Sequence, residues 1–200
     1  MSQSSVSPIR LVVLISGNGS NLQAIIDNIA HKGLPAQIVA VISNKADAFG
    51  LQRAKQAGIE QCVLSPKEFA DREQYDRALK ELIDSYQPDL IILAGFMRIL
   101  SNEFVNHYLH KMMNIHPSLL PKYKGLNTHQ RVLDAGDKEH GCSVHFVTPE
   151  LDDGPVILQA TVAVKDNDTA ETLAKRVHEQ EHRIYPEAIR MFAENKLNIK

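Results

Sequence analysis

The chain has 200 residues, 44% hydrophobic and 23% charged, with a formal net charge of -2. That length buries a substantial core, and the charge excludes the broad basic field that nucleic-acid binding uses. The longest apolar stretches, such as 11–15 and 90–94, suit buried strands and fall far short of the roughly 20 residues of a membrane helix, so neither nucleic acid nor membrane is expected as a partner.

Residues 1–8 are polar and serine-rich, lack an apolar signal region and read as a disordered lead-in, leaving 9–200 as a single domain. Residues 10–15, rich in Val, Leu and Ile, read as a buried strand. A helix follows at 21–31, with Leu22, Ile25, Ile26 and Ile29 at helical spacing. A second strand is expected at 36–42, then a helix at 49–57 stopped by Gly58. A short strand at 60–64 precedes a long amphipathic helix at 71–86, which ends before Pro88, and a fourth strand at 89–94. Such alternation argues for a parallel sheet. A fifth strand is expected at 111–115, a proline-rich loop at 117–127 and a short helix at 128–135. Strands at 142–148 and 155–164, read as an antiparallel pair, lead into a closing helix at 169–194 with Pro186 as a bend point. The expected architecture is α/β: a Rossmann-like, mostly parallel twisted sheet of about seven strands with helices on both faces.

Cys62 and Cys142 are the only cysteines and make no C-x-x-C pair. Two thiols in a chain of this length do not form a disulfide framework, so a reducing cytoplasm fits and each reads as a small core or pocket-wall residue.

Ser16-Gly17-Asn18-Gly19-Ser20-Asn21 sits between the first strand and the first helix. Glycines allow a tight turn and close approach to a ligand. The free amides and dipole of the helix start favour a phosphate. A mononucleotide or sugar phosphate suits this loop better than a dinucleotide, because the third glycine of that fingerprint is replaced by Leu22 and the second strand ends in Ser43-Asn44-Lys45 without a ribose-binding acid. A purely structural turn is the remaining reading.

Asn114 and His116 are two apart on an extended segment and face the same side. A side-chain amide can hold an oxyanion and an imidazole can move a proton. A carboxylate such as Asp152, in the polar turn Leu151-Asp152-Asp153-Gly154-Pro155, can pair with an imidazole and favour its charged form. Residue type and spacing alone do not separate this triad from a hydrogen-bonded structural histidine and an ordinary turn aspartate. His178-Glu179-Gln180-Glu181-His182 matches H-E-x-x-H, a zinc-protease pattern. It lacks a following Gly-x-x-His, has Pro186 close behind and offers only Glu187 or Glu194 as a third ligand, so a polar helix face is the expected reading. A non-enzymatic nucleotide-binding module is a further alternative, since fold alone does not fix function.

The string from Leu14 through Gln23 closely resembles the N-terminus of the phosphoribosylglycinamide formyltransferases, folate-dependent enzymes of purine synthesis. So do Ser43-Asn44-Lys45-Ala46-Asp47, the segment Leu93 through Leu100, Asn114 through Pro121, and Gly141 through Pro155. The resemblance runs from about Ile9 to Phe192. It implies the formyltransferase fold and transfer of a formyl group from 10-formyltetrahydrofolate, as co-substrate, to the amine of 5-phosphoribosylglycinamide. It also implies that Gly19, Ser20 and Asn21 hold the phosphate and Glu181 meets the glycinamide amine. By the same resemblance Asn114 holds the formyl oxygen, His116 is the general acid, and Asp152 assists proton transfer. Arg72, Met97, Arg98, Ile99 and Leu100 line the folate site, Arg98 mainly through its backbone. No metal and no covalent intermediate is implied.

Asn127 stands where some relatives have His, and Asp153 where some have Gly. A tRNA formyltransferase is expected to carry an extra C-terminal domain and a formyltetrahydrofolate hydrolase an extra N-terminal one, for which the chain leaves no room. The expected assembly is a monomer or a homodimer.

Overall fold

The computed structural model describes residues 7–197. The lead-in expected at 1–8 therefore lies outside the described residues, apart from Ser7 and Pro8.

Strands β1 (Ile9–Ile15), β2 (Ala36–Ser43), β3 (Gln61–Val63), β4 (Leu90–Leu93), β5 (Met112–His116), β6 (Glu139–Phe146) and β7 (Val156–Ala163) form one sheet. Its order is β3-β2-β1-β4-β5-β6-β7. Strands β1 to β5 pair in parallel, while β6 runs antiparallel to both β5 and β7. Helices α1 (Ser20–His31), α2 (Phe49–Gln56), α3 (Arg72–Ser85), α4 (Asn102–His107), α5 (Thr128–Ala135) and α6 (Ala170–Ala193) complete the expected α/β architecture.

Alternation along β1 explains the two layers. Leu11, Val13 and Ile15 join a core cluster with Leu22 and Ile25 of α1 and Val177, Ile184 and Ile189 of α6. Val12 and Leu14, on the opposite face, join Tyr75, Leu79 and Ile83 of α3 and Phe104 and Val105 of α4. A parallel strand covered on both faces must be apolar at every position, which is why the β1 sequence reads as a run rather than an alternation.

Helix ends follow local chemistry. Asp71 caps α3 by accepting from the amide of Gln74 at 2.7 Å, and Thr169 forms a reciprocal capping box with Thr172 at the start of α6. Gly136, at φ 69°, ends α5 in the left-handed region. Helix α6 runs unbroken through the expected bend point, Pro186.

Four segments differ from the sequence expectation. Strand β6 begins at Glu139 instead of 142, because Glu139 and His140 already pair with Ala163 and Val162 of β7. It stops at Phe146, whose amide turns to the carbonyl of Pro155. Strand β5 continues through His116, which pairs with Ser143. The short helix α4 and a single 3-10 turn at Pro66–Glu68 were not expected. Both are too brief for hydrophobic periodicity to register.

The chain order of the strands reverses between β1 and β4, so a crevice opens beyond their carboxyl ends. Beneath it, the buried hydroxyl of Tyr185 on α6 lies 2.9 Å from the carbonyl of Leu93 and 3.0 Å from that of Met113. This one donor fastens α6 under the last residue of β4 and the second residue of β5. Tyr185→Phe should lower the urea unfolding free energy by about 1–3 kcal/mol.

Candidate active site

The glycine loop is held from behind. Arg53 of α2 donates to the carbonyl of Asn18 at 2.8 Å and to its side-chain oxygen at 3.0 Å. Gly19 sits at φ 73°, and a Cβ there would lie 2.7 Å from the Cα of Gly50. No other residue type fits that approach without moving backbone. Gly19 is the N-cap of α1 and offers no side-chain cap, so the first amides of the helix, including those of Ser20 and Asn21, have no intrahelical acceptor. This is the electrostatic setting for an anion.

Ser16, at the end of β1, ties the loop to its neighbours. Its hydroxyl donates to the side-chain oxygen of Asn44 at 2.6 Å and accepts from the amide of Met97 at 2.7 Å. Asn21 donates to the carboxylate of Glu181 on α6 at 3.0 Å. Glu181 is 4% exposed. Burial pushes its carboxyl up, while the Asn21 amide pulls it down. The side-chain oxygen of Asn21 and Nε2 of His182 are buried without a partner. Buried polar atoms of this kind usually find one, and the polar groups of an incoming substrate fit the role.

Asn114 and His116 project from β5 two residues apart, and the antiparallel register sets His145 of β6 directly opposite Asn114. Nδ1 of His145 lies 2.9 Å from the carbonyl of Phe146, which can only accept, so Nδ1 carries the proton. Nε2 then accepts from the amide of Asn114 at 3.3 Å. Burial pushes the His145 imidazole down, which keeps it in this neutral form. The arrangement uses one N–H of the Asn114 amide and leaves the second for a ligand oxygen.

Asp152 reaches the same point from the β6–β7 turn at φ 50°, a left-handed conformation uncommon outside glycine. Gly154 presses so closely on the carbonyl of Phe146 that a Cβ would lie 1.8 Å from it, which fixes the turn. One carboxylate oxygen of Asp152 accepts from the amide of Gly125 at 2.9 Å and stands 3.5 Å from Nδ1 of His116. The other lies 3.9 Å from Nε2 of His145. On the far side of the ring, Nε2 of His116 is 2.9 Å from the carbonyl of Tyr123 and must donate to it. Nδ1 is therefore the nitrogen left to exchange a proton with Asp152.

Asn114, His116, Gly125, His145 and Asp152 line a cleft of about 630 Å³ that also includes Met97, Arg98, Ile99, Leu100, Leu126 and Leu151, whereas Gly19, Ser20, Asn21 and Glu181 are not among its lining residues. Met97, Ile99, Leu126 and Leu151 are 65%, 68%, 76% and 59% exposed. An apolar rim around convergent polar groups suits a flat, amphipathic ligand. Arg98 turns its guanidinium over the Tyr75 ring at 4.2 Å, so it meets the cleft chiefly through its backbone. Arg72 is exposed in the first turn of α3, pairs with Glu73 at 3.4 Å and is not among the residues lining the cleft.

Sequence reasoning missed His145, Tyr123, Gly125 and the pair His129–His140, whose ring nitrogens are 2.9 Å apart. His145 was readable in principle, since Ser143 and His145 alternate on one face of β6. His178 and His182 lack a third ligand: among the described residues no group of three or more His, Cys, Asp or Glu is placed to hold a metal ion.

Comparison with known proteins sharpens the picture. The sequence model of the formyl transferase family matches residues 9–189. The chain is 58% identical to phosphoribosylglycinamide formyltransferase of Escherichia coli, over 94% of its own length and 89% of the relative's. It is 50% identical to the Haemophilus influenzae enzyme of the same name, over 96% and 90% of the two chains. A solved structure of phosphoribosylglycinamide formyltransferase from Coxiella burnetii superposes with a TM-score of 0.93 at 56% identity, covering 97% of this chain and 91% of that one.

Burial holds the His140 imidazole down at about 4, with His129 and His116 adding to the effect. Because the folded value lies below the unfolded one of about 6.5, stability is fully present above pH 6.5 and is lost as pH falls toward 4. His140→Gln should flatten this acid loss of unfolding free energy by up to about 2–3 kcal/mol, at 1.36 kcal/mol per unit. Urea titrations at pH 7 and near pH 4 measure it.

Proposed function

The chain belongs to the formyl transferase family, and we propose that it transfers the formyl group of 10-formyltetrahydrofolate to the amine of 5-phosphoribosylglycinamide, with the site residues sharing the work as follows. The products are the N-formyl ribonucleotide and tetrahydrofolate, in purine biosynthesis. The observation that carries the assignment of roles is the free N–H of Asn114 beside the His116–Asp152 pair, at the wall of an apolar-rimmed cleft.

The amides of Gly19, Ser20 and Asn21 hold the ribonucleotide phosphate. Glu181, oriented by Asn21, meets the amine end. Met97, Ile99 and Leu100, with the backbone of Arg98, hold the folate. Arg72 stands outside the cleft wall, and its assigned part in folate binding has no contact to support it.

The amine attacks the formyl carbon, a C–N bond forms, and negative charge develops on the formyl oxygen. Asn114 donates its second N–H to that oxygen. The attacking nitrogen must lose a proton and the folate nitrogen must gain one before the old C–N bond breaks. His116 and Asp152 share the proton through Nδ1 and the carboxylate oxygen 3.5 Å away, a span that a small closure reduces to a hydrogen bond. His145 keeps the Asn114 amide aimed, and the Gly125 amide holds Asp152. Holding the two substrates in contact supplies much of the remaining acceleration.

Among the described residues no helix is long and apolar enough to cross a membrane. A cytoplasmic location is proposed from the two unpaired cysteines, Cys62 and Cys142. We take the working form to be a monomer or a homodimer.

Formyl transfer by chelator-treated protein is the direct test. Turnover that vanishes in His116→Ala supports the reaction and the site together; absence of turnover in the wild type with both ligands bound would mean a different acceptor. Asn114→Ala should lose about 100-fold or more in kcat with modest change in substrate binding, and near-normal turnover would remove its oxyanion role. Asp152→Asn should lower kcat and alter the pH–rate profile, whereas an unchanged profile would take Asp152 out of proton transfer.

A further inference from the structure

Nε2 of His116 is committed to one acceptor, the carbonyl of Tyr123. Tyr123 is itself an unusual residue. It lies in the 117–127 loop at φ 55°, a left-handed conformation that a bulky side chain adopts only when its surroundings impose it. The surroundings are polar and specific. The Tyr123 hydroxyl donates to the carboxylate of Asp137 at 2.8 Å. Lys122 donates to the same oxygen at 3.1 Å. Arg131 of α5 lies over the Tyr123 ring at 5.4 Å and donates to the carbonyls of Lys124 and Leu126 at 2.7 and 3.2 Å. Asp137 is anchored in turn, its amide bonded to the carbonyl of Val132 at the end of α5. The Tyr123 hydroxyl first, and then Lys122, hold the Asp137 carboxyl below the usual carboxylate range.

We infer that Asp137, on the opposite side of the loop from the reacting atoms, is a positioning residue that sets the tautomer and orientation of His116 through Tyr123. The connection is short and every link is directional. Asp137 fixes the Tyr123 hydroxyl, the Tyr123 side chain fixes its own left-handed backbone, and the backbone carbonyl takes the Nε2 proton. That leaves Nδ1, and not Nε2, facing Asp152. Without the Asp137 link the loop can relax toward a common backbone conformation, the carbonyl turns away, and the ring is free to exchange tautomers or flip. The bonds of Asp137, Lys122 and Tyr123 also wall a second cavity of about 570 Å³ with Leu119, Pro121 and His140, so this link can be reached from solvent without entering the cleft.

The inference rests on the role proposed for His116, and its test reads position and turnover separately. Tyr123→Phe removes only the hydroxyl; Asp137→Ala removes the anchor, and Asp137→Asn preserves an acceptor. Histidine 15N NMR, with His116 assigned by the resonance missing in His116→Gln, should show a fixed Nε2–H tautomer in the wild type. Tyr123→Phe and Asp137→Ala should show exchange between tautomers, and Asp137→Asn should retain most of the wild-type signal. In the same two variants kcat should fall about tenfold with KM for both substrates within about twofold, and the double variant should be no worse than either single one. A wild-type spectrum in Tyr123→Phe overturns the inference, whatever happens to kcat. So does a rise in folate KM with unchanged kcat, which would mean the cluster only shapes the cleft. If Asp137→Ala fails to fold, Tyr123→Phe decides alone. If the wild type forms no N-formyl product, the functional reading fails, and the spectra still decide whether Asp137 positions the ring.

Discussion

The antiparallel pairing of β5 with β6 is the constraint on which the site depends. It sets His145 against Asn114 and Ser143 against His116. Side chains on a strand alternate with a strict period of two, so a slip of one residue would turn Asn114 and His116 away from the cleft together. The core guards the register. Met113 and Ile115 on β5 and Val144 and Phe146 on β6 are buried in the same cluster as β1 and α6, and a slip would expose all of them. Apolar burial of the intervening residues thus aims Asn114 and His116 into the cleft.

Much of this was legible in the chain. The apolar runs and their alternation with helical segments identify the parallel half of the sheet, since strands covered on both faces leave an unmistakable pattern. Ser16 through Asn21 was readable as a tight turn into a helix start from glycine placement and the helix that follows. Asn114 and His116 were readable as a pair from their spacing. The link from Asp152 to His116 spans 36 positions and came from family resemblance, because no local pattern encodes it. His145, Tyr123 and Gly125 act through strand register, a backbone carbonyl and a backbone amide. A carbonyl or an amide belongs to every residue type, so such contacts leave no compositional trace.

The polar interior shows how charge is handled without metal-like clusters among the described residues. His145 is kept neutral by burial and by donating to a backbone carbonyl. His129 and His140 share one hydrogen bond. Glu181 is stripped of water and left with a single amide donor. His145 has both ring nitrogens engaged, whereas Glu181 is a buried carboxyl held by one side-chain donor, an arrangement that costs stability in the free protein.

The exposed rim has an evolutionary consequence. Met97, Ile99, Leu126 and Leu151 stand largely in solvent on loops, whereas Asn114, His116 and Asp152 are set in strand and turn positions packed beneath them. Substitution at the rim removes few core contacts, so it reshapes the mouth of the cleft at little cost to folding, while the buried groups are locked by their packing. A synthetic inhibitor that draws its affinity from the rim would meet resistance at little cost to the fold. One anchored on the N–H of Asn114 would face a position that the strand register and His145 hold in place.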